Sequence, residues 1–189
     1  MAPVVLEARS GDGTVGEFLD RLAARTPTPA SGSVAALCVA QAAALVVMVA
    51  RFCDAQRVVE RAERLVEQAH RLAGEDERAF RTVAEAWALP RATSSEEHAR
   101  RSAIDEALLG SAEPQVRVVE TAIEVLVLTD QLRPAARAGL LADLAAAGEV
   151  ARAGSAIART NVESNLQGLP ASDERSELHR RIGVAKEMT

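Results

Sequence analysis

Tyrosine is absent from this chain, lysine occurs once (Lys186), and there are only three phenylalanines, one tryptophan and two cysteines. With aromatics at 2% of 189 residues, the core must be filled by small aliphatic side chains. That suits closely spaced helices better than a sheet, where aromatic and β-branched residues are enriched. Two cysteines, Cys38 and Cys53, are too few for a disulfide framework and read as reduced thiols of a cytoplasmic protein. The first ten residues lack a basic segment followed by an apolar one, so no secretory signal is expected. A net charge of −5, with arginine interleaved among glutamate as in "RVVERAERLVEQAHRL", argues against a nucleic-acid binder, which concentrates basic charge on one surface. His70, His98 and His179 stand beside Arg or Glu without ligand spacing, so no metal site is expected.

Charge is also missing from one long stretch, the 25 residues from Thr26 to Ala50. Its Ala/Val/Leu portion is nearly long enough to span a bilayer. Gln41 interrupts it, however, and alanine dominates over the large residues that drive insertion. A buried central helix, from Gly32 or Ser33 to about Phe52 and apolar on all sides, is the expectation, with no membrane as partner.

Helical spacing runs through the rest. Thr14 and Glu17 form a capping box for a first helix to about Arg25, with Phe18, Leu22 and Val15 as its inner stripe. Asp54 to Leu72 repeats Val58, Val59, Ala62, Leu65, Val66, Ala69 and Leu72. Helix continues from Glu75 to Trp87, with a bend predicted at Gly74. Ser94 opens another helix to about Ser111, and Pro114 the next. A long segment begins at Pro134, with close backbone approach predicted at Gly148 and Gly154. A last helix follows Ser172-Asp173, with Leu178 and Ile182 inward. Small-residue faces at Ala35, Ala42 and Ala43, and at Ala145 to Ala147, imply tight packing. The expectation is an all-α protein, one multihelical bundle over residues 1–189, with seven or eight helices around the Ala-rich one. A helix apolar all round needs covering, and a second subunit, making a homodimer, is one way to cover it.

Four places could carry chemistry. In "PTPASGSVAA", Pro29, Gly32 and Ser33 stand at the mouth of the long helix, where free N–H groups and the dipole can hold an anion or a polar edge. Equally, Ser33 could simply cap that helix. Asp76 shares a helical face with Phe80, Val83 and Trp87. In a pocket its pKa would rise toward that of a general acid/base; at a solvated edge it would merely sit in its helix's first turn. Asn161 and Asn165 lie at i, i+4 and can together read a polar heterocycle, or can mark a fraying end before Gly168 and Pro170. Asp143 is a lone acid in an apolar stretch.

In this order the motifs resemble the cyclodeaminase/methenyltetrahydrofolate cyclohydrolase family. They run from "TVGEFLDRLAARTPTP" through "ASGSVAALCVAQAAAL", "DERAF", Leu89-Pro90 and "RRSAIDEALLGSAEPQVRV" to "NVESNL". The resemblance implies an all-helical, dimeric enzyme acting on a tetrahydrofolate derivative, a small-molecule substrate. Asp76 would be its proton shuttle and Pro29 to Ser33 its ligand turn. Asn161, Asn165 and Asp143 would hold the pterin's polar edges or stabilise the site. Departures are also visible. The family's glycine triplet is Ala30-Ser31-Gly32 here, the region between Met48 and Asp76 is about ten residues short, and "ARAGLLAD" keeps only Asp143 of a longer motif. Three functions therefore stay open: a folate C–N enzyme, a pathway-specific C–N, imine or ring-closing enzyme of the same descent, and a non-catalytic helical dimer.

Overall fold

The capping box at Thr14 and Glu17 forms as the sequence predicts and opens α1, Val15–Ala23. The structure, a computed structural model, describes residues 13–188, with side chains to 183. α2 spans Ser31–Phe52, α3 Gln56–Trp87 and α4 Ser94–Leu132. A 3-10 turn, Ala138–Leu140, leads into α5, Leu141–Leu166, and α6 is Asp173–Met188. No strand occurs among the described residues, and six α-helices replace the predicted seven or eight.

Two predicted breaks are missing. α3 runs as continuous helix through Gly74, which is buried. α4 runs through Pro114. Proline removes the N–H that would bond the carbonyl of Gly110, and Gly110 is solvent-exposed, so water can satisfy that oxygen. Pro134 falls in the connection between α4 and α5 and does not begin a helix.

α2 is the centre, packed against α3, α4 and α5, which also pack in sequence on one another. By length and composition it is the described helix that qualifies for a membrane span. Within the bundle, however, Ala35, Ala36, Val39, Ala42, Ala43, Val46, Val49 and Ala50 have no exposure at all. It is not enclosed on every side. Val34, Leu37, Cys38, Leu45 and Met48 are half-buried, and Gln41, Ala44 and Phe52 are exposed. These residues recur at helical spacing, so they form one uncovered stripe.

Gly154 of α5 fulfils its prediction. A Cβ there would meet the Ala35 carbonyl oxygen and Val39 Cγ2 at 2.8 Å, so α2 and α5 touch backbone to backbone. Gly148 does not, since the atoms nearest a Cβ there are those of the Arg152 side chain, from 3.2 Å. Ala145 and Ala146 are exposed, and of that trio Ala147 alone is buried. α6 buries Leu178 and Ile182 as expected and is tied to α4 by Arg181, which bonds both Glu113 and Glu120. α1 is peripheral: it buries none of its residues, and Val15 is 77% exposed instead of facing inward.

Candidate active site

The first turn of α2 has no cap of its own. Ala30 occupies the N-cap position and offers no side chain for the purpose. The missing acceptor comes from another helix. The Asp76 carboxylate, on α3, receives the Ser33 hydroxyl, Oγ to Oδ2 at 3.4 Å, and the nearby Ser33 backbone N–H adds a small pull toward the anion. Ser33 is therefore not the cap of α2; it sits in the first turn and points at the acid. Gly32 makes this approach feasible, because a Cβ on it would lie 2.1 Å from Asp76 Oδ1. Pro29, buried and preceded by a cis peptide bond, brings the chain into that turn.

Asp76 takes its shortest hydrogen bond from α4: Gln115 Nε2 donates to Oδ1 at 2.7 Å. The amide's other end, Oε1, accepts from Asn161 Nδ2 of α5 at 3.3 Å. Asn161 Oδ1 in turn accepts from Ser31 Oγ at 2.9 Å. Four helices thus close on one acid. One turn further along α5, Asn165 Nδ2 donates to Ser111 Oγ of α4 at 3.0 Å.

Asp76 is mostly withdrawn from water, and burial pushes its carboxyl up to about 6. The Gln115 and Ser33 bonds pull the other way, because they favour the anion. The nearby negative charge of Glu77 adds to the rise. Glu77 is itself buried and paired with Arg21 of α1 at 3.1 Å. On α4, Arg117 pairs with Glu75 at 2.7 Å. The aligned stripe beyond Asp76 is buried at Val83, half-buried at Phe80 and 47% exposed at Trp87.

Hollows flank this cluster without having Asp76 in their walls. One, of about 620 Å³, runs between α3 and α4 from Ala79 and Ser111 out to Leu89, with Thr82, Glu85 and Glu106 along it. Another, of about 400 Å³, lies between Thr26–Thr28 and α3, lined by Arg21, Glu77 and Arg81.

Of the residues singled out from the sequence, Pro29, Gly32, Ser33, Asp76 and Asn161 converge, with Asn165 beside them. Asp143 does not. It lies in the first turn of α5, 18 residues and about 27 Å from Asn161 at 1.5 Å per residue. Gln115 was missed, although the signal existed: it is an uncharged polar residue on the face of Val118, Val119 and Ala122. Among the described residues no three His, Cys, Asp or Glu side chains are grouped to hold a metal ion.

A helical bundle whose helices meet at one end on a carboxylate and two amides is the class of protein that this fold and site define. Residues 14–183 match the formiminotransferase-cyclodeaminase family, and the chain belongs to it. Methenyltetrahydrofolate cyclohydrolase of Methylorubrum extorquens is 31% identical over 184 residues, 92% of this chain and 87% of that protein. Formimidoyltransferase-cyclodeaminase of Mus musculus is 28% identical over 176 residues, 87% of this chain but only 32% of that longer protein. The crystal structure of formiminotetrahydrofolate cyclodeaminase from Thermotoga maritima has the same fold. Its TM-score is 0.81 at 24% identity, over 93% of this chain and 89% of that one. The resemblance drawn from the motifs is borne out, and the chain is an enzyme.

Proposed function

We propose that the chain is a folate-dependent C–N bond enzyme, of methenyltetrahydrofolate cyclohydrolase or formiminotetrahydrofolate cyclodeaminase type, with Asp76 as its proton shuttle. The observation that carries this is the state of Asp76: largely withdrawn from water, held by side chains of α2 and α4, and with its carboxyl pushed up to about 6. Near neutral pH such a carboxylate is mostly ionised yet close enough to protonation to both take and return a proton.

In the cyclohydrolase direction, water adds to the methenyl carbon and passes one proton to Asp76. That proton goes to N5 as the carbon–N5 bond breaks, and the hydroxyl proton leaves to solvent, giving the 10-formyl product. In the cyclodeaminase direction, N10 adds to the formimino carbon and its proton passes by Asp76 to the departing nitrogen, which leaves as ammonia. Either route needs one acid and a polar cradle. Pro29, Gly32 and Ser33 would border the ligand, Asn161 and Asn165 would hold its polar edges, and Asp143 falls outside the cradle within one protomer. The scaffold alternative expects no pocket at Asp76 and the acid free in water; the acid is largely withdrawn from water, while the two flanking hollows do not have it in their walls.

Two observations favour the second enzymatic reading, a pathway-specific C–N or imine enzyme. The larger hollow carries Glu85 and Glu106 and no Arg, Lys or His in its described wall, whereas folates end in glutamate carboxylates. Ser31 also adds a side chain to the turn and ties up the Asn161 carbonyl.

The direct test follows the near-ultraviolet absorbance of methenyltetrahydrofolate, and ammonia release from the formimino compound. Turnover by the wild-type chain is expected, with Asp76→Asn slower by about 10²–10⁴. No turnover above the uncatalysed rate on either folate removes the folate reading and leaves the second. The chain is further proposed to be a cytoplasmic homodimer, its apolar α2 stripe supplying a surface for a second copy.

A further inference from the structure

Gln115 is 1% exposed, yet its side chain is polar at both ends. Burial of an amide costs free energy unless both ends are bonded, and here both are. The sense of those bonds is not free. An ionised carboxylate only accepts, so Gln115 must turn its Nε2 toward Asp76. Its oxygen then faces α5, where it needs a donor, and Asn161 must present Nδ2. Asn161 is left with its own oxygen outward, which requires the Ser31 hydroxyl to donate. Each link is dictated by the one before it, and the last reaches the exposed Ser31 at the turn.

We propose that Gln115 is a positioning residue of the reaction: oriented by Asn161 and Ser31, its buried amide fixes the Asp76 carboxylate and stabilises its ionised form. This rests on the reading of Asp76 as proton shuttle. Burial and the charge of Glu77 favour the neutral acid, whereas Gln115 and Ser33 favour the anion. Gln115 makes the shorter and better-placed of those two side-chain bonds. The other charges nearby are already paired: Glu77 and Arg21 between α3 and α1, and Glu75 and Arg117 between α3 and α4. From α2 and α5 the groups that reach Asp76 or its amide are uncharged, namely Ser33 and Asn161. The amide is therefore the adjustable contact between the acid and the rest of the bundle.

Gln115→Met keeps the volume and removes the donor. Carbon-13 NMR titration of the Asp76 carboxyl, without substrate, is expected to move up by about one pH unit. The acid limb of kcat should follow it, with kcat about tenfold lower and KM within about twofold. Asn161→Ser breaks the next link without touching Asp76 and should shift the same titration in the same direction by less. It also carries the test should Gln115→Met fail to fold by circular dichroism. An Asp76 titration that stays in place in the folded variants overturns the proposal. Because that measurement needs no turnover, it is independent of the folate assay and of Asp76→Asn activity.

Discussion

Burial raises the Asp76 carboxyl to about 6 from an ordinary 3.8, so the folded chain holds that proton more tightly than the unfolded chain. The sign follows. This group's contribution to stability is fully present below about pH 4 and is lost as pH rises through about 6. At neutral pH the ionised acid therefore weakens the fold, by about 3 kcal/mol at most at 1.36 kcal/mol per unit. Asp76→Asn keeps an oxygen for Gln115 and removes the charge. Its thermal unfolding midpoint at pH 7.5 is expected above that of wild type, by the equivalent of about 1–3 kcal/mol, with the gain shrinking toward pH 4. A variant less stable than wild type at pH 7.5 would show that hydrogen bonding, and not burial, governs the group. Sequence spacing alone brought Asp76 forward without deciding between solvated edge and pocket. The decision came from Gln115 and the α2 terminus, 39 and 43 residues away, pairings that no local period encodes.

Helices were legible where hydrophobic period and caps agree, as at Thr14, at the helix opened by Ser94, and at the inward Leu178 and Ile182. They were misread where a breaker residue is overruled by packing. Glycine inside a helix costs only about 1 kcal/mol relative to alanine. Gly74 lies buried in α3, which continues through it, and Pro114 is tolerated in a helix packed against α2, α3 and α5. Gly154 is the element-scale test. With backbone and Val39 at 2.8 Å from any added methyl, Gly154→Ala must push α5 off α2. A loss of about 1–3 kcal/mol in urea unfolding is expected, as for other overpacked sites, whereas a neutral result would mean that the two helices can slide.

At the scale of the molecule, apolar surface left uncovered among the described residues includes the α2 stripe ending at Phe52, 60% exposed, and Val15 with Leu19 on α1, at 77% and 54%. Surfaces of this kind mark sites of association. Sedimentation is expected to give a dimer, and Ala44→Arg with Phe52→Glu, both exposed in the protomer, should give a folded monomer. Wild type that sediments as a monomer would assign the stripe to something else. All-α architecture and family were legible because composition and the order of motifs carry them. The substrate was not, because hollow walls draw single residues from separate turns, and a hydrophobic period says nothing of which charge will face inward.

The acid is pinned by contacts from α2, α4 and, through an amide, α5, while the larger hollow is walled by α3, Leu89 and α4, and meets the cluster at Ser111, the partner of Asn165. On the proposed function, the residues that would handle the proton and most of those that wall the hollow are different ones. On that reading, exchanges at Ala79, Thr82 or Ala103 would retune what enters and leave the contacts of Asp76 in place. Descent with a new diet, rather than a new fold, is the course such a layout leaves open.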